Sequence, residues 1–165
     1  MLREPHVRNP LLQFVQAESA TQIEQARELF VEYAQSLGFS LCFQNFDKEL
    51  AELPGDYVPP SGRLLLAEYE RHVAGCVALH KLEDGICEMK LLYLRPQFRG
   101  KKLGLALADR IIAEARQIGY RHMRLDTVES VMKDAVVMYR KLGFREIPPY
   151  RSNPIPSALY MELRL

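Results

Sequence analysis

The spacing of hydrophobic positions changes repeatedly along the chain, and each spacing predicts a different kind of element. Apolar residues recur every three to four positions in four stretches, which predict helices over 21–37, 46–53, 103–118 and 131–142. Short apolar or alternating runs predict strands over 11–17, 63–70, 73–80, 86–94, 121–127, 144–147 and 157–163. This order predicts a mixed α/β fold, in which helices flank a mostly antiparallel central sheet with parallel pairing around the third helix.

Turn and cap residues predict where these elements begin and end. Thr21-Gln22-Ile23-Glu24 has the pattern of a capping box at the start of the first helix, and Gly38 is expected to end that helix. Residues 54–62 are rich in turn-forming residues and predict an exposed loop. Only Arg71 and His72 separate the second and third strands, which favours an antiparallel hairpin. Because no linker or internal repeat interrupts the pattern, we expect residues 1–165 to form one domain.

Composition and charge narrow the class of protein. The chain is 48% hydrophobic and 26% charged, as globular proteins are. A net charge of +1 gives no reason to expect a nucleic-acid partner, and no apolar run is long enough to cross a membrane. Three cysteines without a CxxC pair give no reason to expect a disulfide framework or a zinc or other metal site. The N-terminus lacks the apolar stretch of a signal peptide, so we expect the cytoplasm as compartment.

The strongest candidate for a binding site is the predicted strand-to-helix turn Arg99-Gly100-Lys101-Lys102-Leu103-Gly104. The start of a helix carries unpaired N–H groups and a partial positive charge, which together bind phosphate. A P-loop would need Ser or Thr near Gly104, where Leu105 stands instead, and no GxGxxG pattern occurs. The same residues also suit a solvated basic turn that only caps a helix, and the turn alone does not decide between these interpretations.

Together with its neighbours, this turn resembles the acetyl-CoA-binding motif of the GCN5-related N-acetyltransferase (GNAT) superfamily. Leu94-Arg95-Pro96 precedes the turn as the family's Val/Leu-x-Pro does. Ala135-x-x-x-Tyr139-x-x-Leu142-Gly143-Phe144 follows it in the family's order and spacing. The resemblance covers residues 60–147 strongly, and two ordered motifs are far more specific than the basic turn alone.

The resemblance implies a GNAT-like fold that uses acetyl-CoA as donor and transfers the acetyl group directly to a small-molecule or peptide amine in a ternary complex. It places the pyrophosphate on the backbone of residues 99–104, with positive charge supplied by Arg99, Lys101 and Lys102. It places the pantetheine arm along the backbone of Leu92, Tyr93 and Leu94. Tyr139 would protonate the departing thiolate, although a tyrosine there also suits the hydrophobic core.

Two residues depart from the family's pattern. Lys102 stands where glycine is usual, and Met132 stands where many relatives carry asparagine. We expect Lys102 to adopt ordinary helical dihedral angles, because it lies at the start of a predicted helix. Its side chain would then either crowd the pyrophosphate or add charge to its site. Met132 would remove one polar contact to the pantetheine.

Glu88 is the candidate general base, because a charge in a central strand must line a cavity or be paired. Strand periodicity places it on one face of the strand with four neighbours, Ile86, Lys90, Leu92 and Leu94. Some relatives of the GNAT family use a glutamate at about this point of the strand as the base. An ion pair between Glu88 and Lys90 is the competing interpretation. A chain of water molecules acting as base would leave Glu88 only a positioning role.

The acceptor is the part of the function that the sequence leaves open, since one fold serves many acceptors. Residues 42–46 with Tyr150 and Arg151 lie where the family builds its acceptor pocket, although their residue types also suit ordinary loop packing. Asp126 could orient a group or cap a strand end. The scattered histidines lack the spacing of ligands or catalytic groups.

Two other functions and one assembly are compatible with the pattern. A non-catalytic acyl-CoA-binding or regulatory module would explain the replaced glycine and asparagine, whereas the retained Tyr139 argues against it. A nucleotide-binding domain lacks its magnesium and ribose signatures. The chain could also form a homodimer through an edge strand near the proline-rich tail, although no motif requires it.

Overall fold

The computed structural model describes residues 11–38 and 45–165, and within these ranges the chain forms one seven-stranded sheet and four α-helices. The strands are β1 (Leu12–Gln16), β2 (Arg63–Tyr69), β3 (His72–Glu83), β4 (Ile86–Leu94), β5 (His122–Val128), β6 (Arg145–Ile147) and β7 (Ala158–Arg164). The helices are α1 (Ala20–Leu37), α2 (Phe46–Glu52), α3 (Leu103–Ile118) and α4 (Lys133–Leu142). A single 3-10 turn at Pro96–Phe98 connects β4 to the turn before α3.

The strand order in the sheet is β1-β2-β3-β4-β5-β7-β6. All neighbouring strands run antiparallel except β4 and β5, which are parallel and are connected through α3. The predicted mixed α/β fold with a mostly antiparallel sheet is therefore confirmed. The edges of the sheet are β1 and β6, and dimerisation through the edge near the tail stays a prediction.

Hydrophobic residues cover both faces of the central strands, so helices pack on both sides. In β2, Leu64 and Leu66 join the core under α1, whereas Leu65 and Ala67 join the core under α3. This alternation is the consequence of the two-residue period of a strand. Burial of each leucine stabilises the fold by roughly 1.5–3 kcal/mol, so the two layers hold the middle of the sheet firmly.

Helix α1 begins earlier than predicted, and its capping box uses other residues. The N-cap is Ser19, whose Oγ accepts a hydrogen bond from the Gln22 backbone N–H at 3.1 Å. The Gln22 side chain accepts one in return from the Ser19 backbone N–H, also at 3.1 Å. The box predicted at Thr21–Glu24 is therefore wrong, because the extended backbone that a cap needs occurs at Ser19 and Thr21 already lies inside the helix. Gly38 ends α1 in the left-handed conformation, as predicted.

Candidate active site

The candidate site lies where the parallel strands β4 and β5 separate. They pair only through Ile86–Glu88 and His122–Arg124, although both strands continue further. Beyond this point, the side of β4 that faces β5 has no strand partner within residues 11–38 and 45–165. The separation opens a cleft in the centre of the sheet, with unpaired strand backbone along one wall.

A bulge in β4 shapes this wall. Leu91 has a φ of +59°, and the register with β3 shifts by one residue at this point. Leu92 and Leu94 consequently pack with the core under α3, whereas Leu91 and Tyr93 pack with the core under α1. The prediction that Glu88, Leu92 and Leu94 share one face is therefore wrong, because the bulge reverses the alternation.

The cleft, counted together with its open mouth, encloses about 800 Å³. Its walls come from both hydrophobic cores and from the polar residues between them. Two of the predicted site residues, Leu92 and Tyr139, lie in the walls. The polar lining residues are Tyr33, Glu49, Lys90, Asp126, Thr127, Tyr139 and Asn153. A cleft whose wall combines several polar groups with apolar side chains is suited to a small-molecule ligand.

The basic turn lies between the end of β4 and the start of α3. Gly100 has a φ of +84°, in the region that favours glycine. Lys102 is the N-cap of α3 at φ +59° and ψ +23°, so it is left-handed and the expectation of helical dihedral angles is wrong. No side chain caps this helix end. Its first N–H groups, including those of Leu103 and Gly104, therefore have no intrahelical partner and are available to an anion.

The three cations of the turn have different surroundings. The Arg99 guanidinium donates to the Leu94 carbonyl at 3.0 and 3.2 Å, so it fastens the turn to the end of β4. The Lys101 ammonium lies 5.7 Å from the centre of the Tyr69 ring. Lys102 forms no ion pair within the part of the chain that the structure describes. Of the three cations, Lys102 is therefore the one whose charge has the fewest contacts within the described residues.

Tyr139 projects from α4 into the cleft. Its side chain is buried against Phe144, with ring centres 5.6 Å apart. Burial raises the pKa of the Tyr139 phenol, so the hydroxyl keeps its proton at neutral pH. No hydrogen bond joins this hydroxyl to another residue of the described ranges. The geometry thus leaves a neutral proton donor facing the cleft.

Glu88 is fully buried, and hydrogen-bond donors occupy both of its oxygens. His80 Nε2 lies 2.8 Å from Oε1, and Tyr150 donates to Oε2 at 2.6 Å. Arg151 forms an ion pair with Oε2. Burial alone would raise the pKa of Glu88, but the donors from His80, Arg151 and Tyr150 lower it to about 2.

The ion pair between Glu88 and Lys90 is not formed, so that interpretation is wrong. Lys90 instead lies 3.4 Å from the Glu49 carboxylate of α2, and Tyr57 also donates to Glu49. Lys90 therefore pairs with Glu49, and Glu88 is neutralised by Arg151.

Sequence reasoning missed the contribution of the loop between β6 and β7 to the surroundings of Glu88. Tyr150 and Arg151 were expected only as part of an acceptor wall, and the structure makes them partners of Glu88. The one signal in the sequence is that a glutamate in a central strand requires a cation, but it does not say which. Residues 42–44 of the expected wall lie outside the described residues.

The N-cap of α4 is Met132, whose Sδ accepts a hydrogen bond from Thr127 Oγ1 at 3.4 Å.

Comparison with known proteins agrees with this geometry. The profile of the Acetyltransferase (GNAT) family matches residues 23–144. The chain belongs to the GNAT acetyltransferase family. It is 43% identical to an uncharacterized N-acetyltransferase of Schizosaccharomyces pombe over 145 residues, which is 87% of this chain and 88% of the relative.

Solved structures of other GNAT proteins share the fold of this acetyltransferase. A GNAT-family acetyltransferase from Staphylococcus aureus superposes with a TM-score of 0.76 at 16% identity, covering 93% of this chain and 98% of that one. One from Elizabethkingia anophelis, solved with acetyl-CoA bound, has a TM-score of 0.70 at 20% identity over 94% and 99% of the two chains. The expected GNAT-like fold is confirmed.

Two further properties of the described ranges bear on function. No group of three or more His, Cys, Asp or Glu side chains there is placed to hold a metal ion. None of the described helices combines the length and apolar character needed to cross a membrane.

Proposed function

We propose that this protein is an acetyl-CoA-dependent N-acetyltransferase that transfers the acetyl group directly to an amine in a ternary complex. The observation that carries the proposal is the cleft between β4 and β5. Tyr139 lines this cleft, one wall of which is strand backbone without a partner, and β4 leads from there to the open start of α3. Family membership supports the same activity.

The residues along this path fit acetyl-CoA, which would supply the acetyl group as an activated thioester. The backbone N–H groups of residues 99–104 suit the pyrophosphate, and the ammonium of Lys102 adds charge there. Arg99 holds the turn in place through the Leu94 carbonyl. At Leu92 and Tyr93, β4 has no partner on the side that faces β5, so backbone groups on that side can hydrogen-bond an extended polar chain.

Tyr139 acts as the proton donor to the departing sulfur. Its buried, neutral phenol can give a proton to a thiolate that forms in the cleft. Direct transfer requires no nucleophilic residue of the protein, because the attacking atom is the nitrogen of the acceptor. The acceptor is a small molecule or peptide with a free amine.

Glu88 positions other residues and does not act as the base. A carboxylate with a pKa of about 2 attracts protons too weakly for general base catalysis near neutral pH. Its oxygens are also occupied by His80, Tyr150 and Arg151. We infer that it holds Tyr150 and Arg151, and with them the loop between β6 and β7, against the sheet.

The test is release of free CoA thiol from acetyl-CoA in the presence of amines of different classes: an amino acid, spermidine, a tripeptide and an arylamine. Tyr139→Phe should lower kcat by about 100-fold, as loss of a general acid does, while the Kd for acetyl-CoA stays within twofold. The matched control is Tyr120→Phe at the opposite end of β5. That hydroxyl donates to the Ser61 carbonyl at 2.7 Å, so the control should keep full turnover.

Two outcomes would reject parts of this proposal. Unchanged turnover in Tyr139→Phe would remove this residue from the mechanism. Tight acetyl-CoA binding without thiol release for every amine would favour a non-catalytic acyl-CoA-binding module. Two departures from the family pattern favour this second candidate. Lys102 is left-handed where glycine is usual, and Met132 stands where many relatives carry asparagine.

A further inference from the structure

Asp126 is one of two acidic residues that line the cleft, and the other is Glu49. Asp126 follows Leu125 in β5, and Leu125 packs with the core under α3. Because strand side chains alternate, Asp126 points to the opposite face, which carries α1 and α2. There it lines the cleft together with Tyr33 and Lys90.

Asp126 is placed differently from Glu88. Glu88 is wholly enclosed and is neutralised by Arg151. Asp126 remains partly accessible and forms part of the wall of the cleft that also contains Tyr139. A group that takes a proton from a substrate must be reachable by that substrate, and of these two carboxylates only Asp126 lies in the wall.

We propose that Asp126 is the catalytic residue that accepts the proton of the acceptor ammonium, and that it thereby selects acceptors with a primary ammonium group over neutral nucleophiles. The position of Asp126 in the wall of the same cleft as Tyr139 carries this inference, which rests on the proposed acetyltransferase activity. Acid and base then stand on different elements, Tyr139 on α4 and Asp126 on β5.

Two protons move in the step, one through Asp126 and one through Tyr139. The acceptor ammonium gives one proton to the Asp126 carboxylate and becomes a neutral amine with a lone pair. This lone pair forms the new N–C bond to the acetyl carbon as the C–S bond breaks, and Tyr139 gives its proton to the sulfur. The nitrogen then loses a second proton, which restores the Tyr139 phenol through water. Asp126 finally releases its proton to solvent, so that one proton is released per amide formed.

The charges around Asp126 suit this role. Burial raises the pKa of Asp126, Arg151 and Lys90 lower it, and the carboxylate of Glu88 raises it, with a net rise. A raised pKa makes a carboxylate a better proton acceptor near neutral pH.

The remaining titratable groups that face Asp126 stay neutral. They are phenols on α1, on the loop after β6 and on β7, and burial raises the pKa of each: Tyr33, Tyr150 and Tyr160. Their hydroxyls add no charge at neutral pH. The charge balance around Asp126 is therefore set by Glu88, Arg151 and Lys90, and by Glu49, which lines the same cleft and pairs with Lys90.

The first test needs neither donor nor acceptor. In protein with ¹³C-labelled aspartate carboxyls, the resonance that disappears in Asp126→Asn belongs to Asp126. Its titration should lie above the ordinary aspartate value of about 3.9. A titration at or below that value would overturn the proposal, whatever the outcome for acetyl transfer.

The second test uses the amine that releases thiol fastest in the assay described above. Asp126→Asn should lower kcat/KM at least 100-fold and abolish the loss of rate on the acidic side of the pH profile, while the Kd for acetyl-CoA stays within twofold. Asp126→Glu should recover part of the rate. Asp84→Asn, in an exposed turn where Asp84 pairs with Lys81 at 2.8 Å, is the matched control and should leave the profile unchanged.

Two results would contradict the proposal in this second test. One is an unchanged acidic limb in a folded Asp126→Asn variant. The other is loss of that limb in Glu88→Gln with retention in Asp126→Asn, which would return the role of base to Glu88. If no amine releases thiol, the proposed function fails, and the titration still decides the state of Asp126.

Discussion

Lys102 combines an unfavourable backbone conformation with a charge that suits its site. A left-handed backbone costs an ordinary L-residue roughly 1–2 kcal/mol, whereas glycine adopts it freely. The glycine usual at this motif position is therefore explained by the backbone. The sequence could not reveal this, because helical periodicity predicts where α3 begins but not the dihedral angles of its cap.

Substitutions at Lys102 should separate the effect of backbone strain on stability from the effect of the charge on acetyl-CoA binding. Lys102→Gly should raise the free energy of unfolding by up to about 1 kcal/mol, since part of the relieved strain is offset by the greater unfolded-state entropy of glycine. If the turn holds the pyrophosphate as proposed, the same variant should bind acetyl-CoA several-fold more weakly and with less dependence on salt, because the turn loses one positive charge. Urea unfolding and calorimetric titration at two salt concentrations measure the two effects.

Lys102→Ala is the matched control for this prediction. Alanine removes the charge and keeps the left-handed strain, so it should weaken binding equally without stabilising the fold. Equal stability of the glycine and alanine variants would contradict the role of strain, and unchanged affinity in both would contradict the role of charge.

At the scale of elements, hydrophobic spacing predicted every strand and helix of the described ranges but missed the irregular points. The bulge in β4 falls within Leu91–Leu94, where all residues are apolar and no alternation exists to show a change of face. The sequence does not predict the separation of β4 from β5 either, because strand propensity does not show which strands pair or over what length.

The cap of α1 gives an element-scale prediction with an internal control. Ser19→Ala should lower the free energy of unfolding by about 1 kcal/mol, because it removes the acceptor for the Gln22 N–H. Thr21→Ala changes the first residue of the sequence-predicted box, which lies inside the helix, and should cost much less. Chemical unfolding of both variants measures the difference. A larger loss for Thr21→Ala would contradict the observed cap.

At the scale of the whole molecule, the site depends on contacts between distant parts of the chain. The sequence motifs singled out the turn at residues 99–104 and Tyr139 as candidates, because each belongs to a local pattern around one helix. Two of the three partners of Glu88, Tyr150 and Arg151, come from a loop more than 60 positions later in the chain. Such pairing follows from the sheet order, in which β5 and β7 separate β4 from β6. No local pattern encodes that order, so the environment of Glu88 could not be predicted.

The ion pair of Glu88 and Arg151 should make the stability of the whole molecule depend on pH. The pKa of Glu88 falls from an ordinary value of 4.5 to about 2 on folding, because the donors around it favour the carboxylate. Its contribution is therefore complete above about pH 5 and is lost as the pH falls through 4.5 towards 2. A shift of this size corresponds to on the order of 3 kcal/mol. Urea unfolding at a series of pH values between 7 and 3 should show this loss in the wild-type protein.

Glu88→Gln tests whether that loss belongs to Glu88. The variant should be less stable at pH 7, because Arg151 keeps its charge without a buried partner, and its stability should depend less on pH below 5. Glu24→Gln removes an exposed pair with Arg27 and should cost at most about 1 kcal/mol, which makes it the matched control. An acid-unfolding curve of Glu88→Gln with the wild-type slope would show that other carboxylates cause the loss. A flattened slope, together with an intact acidic limb of the rate profile, would assign Glu88 to holding the fold around the cleft and leave proton transfer to another group.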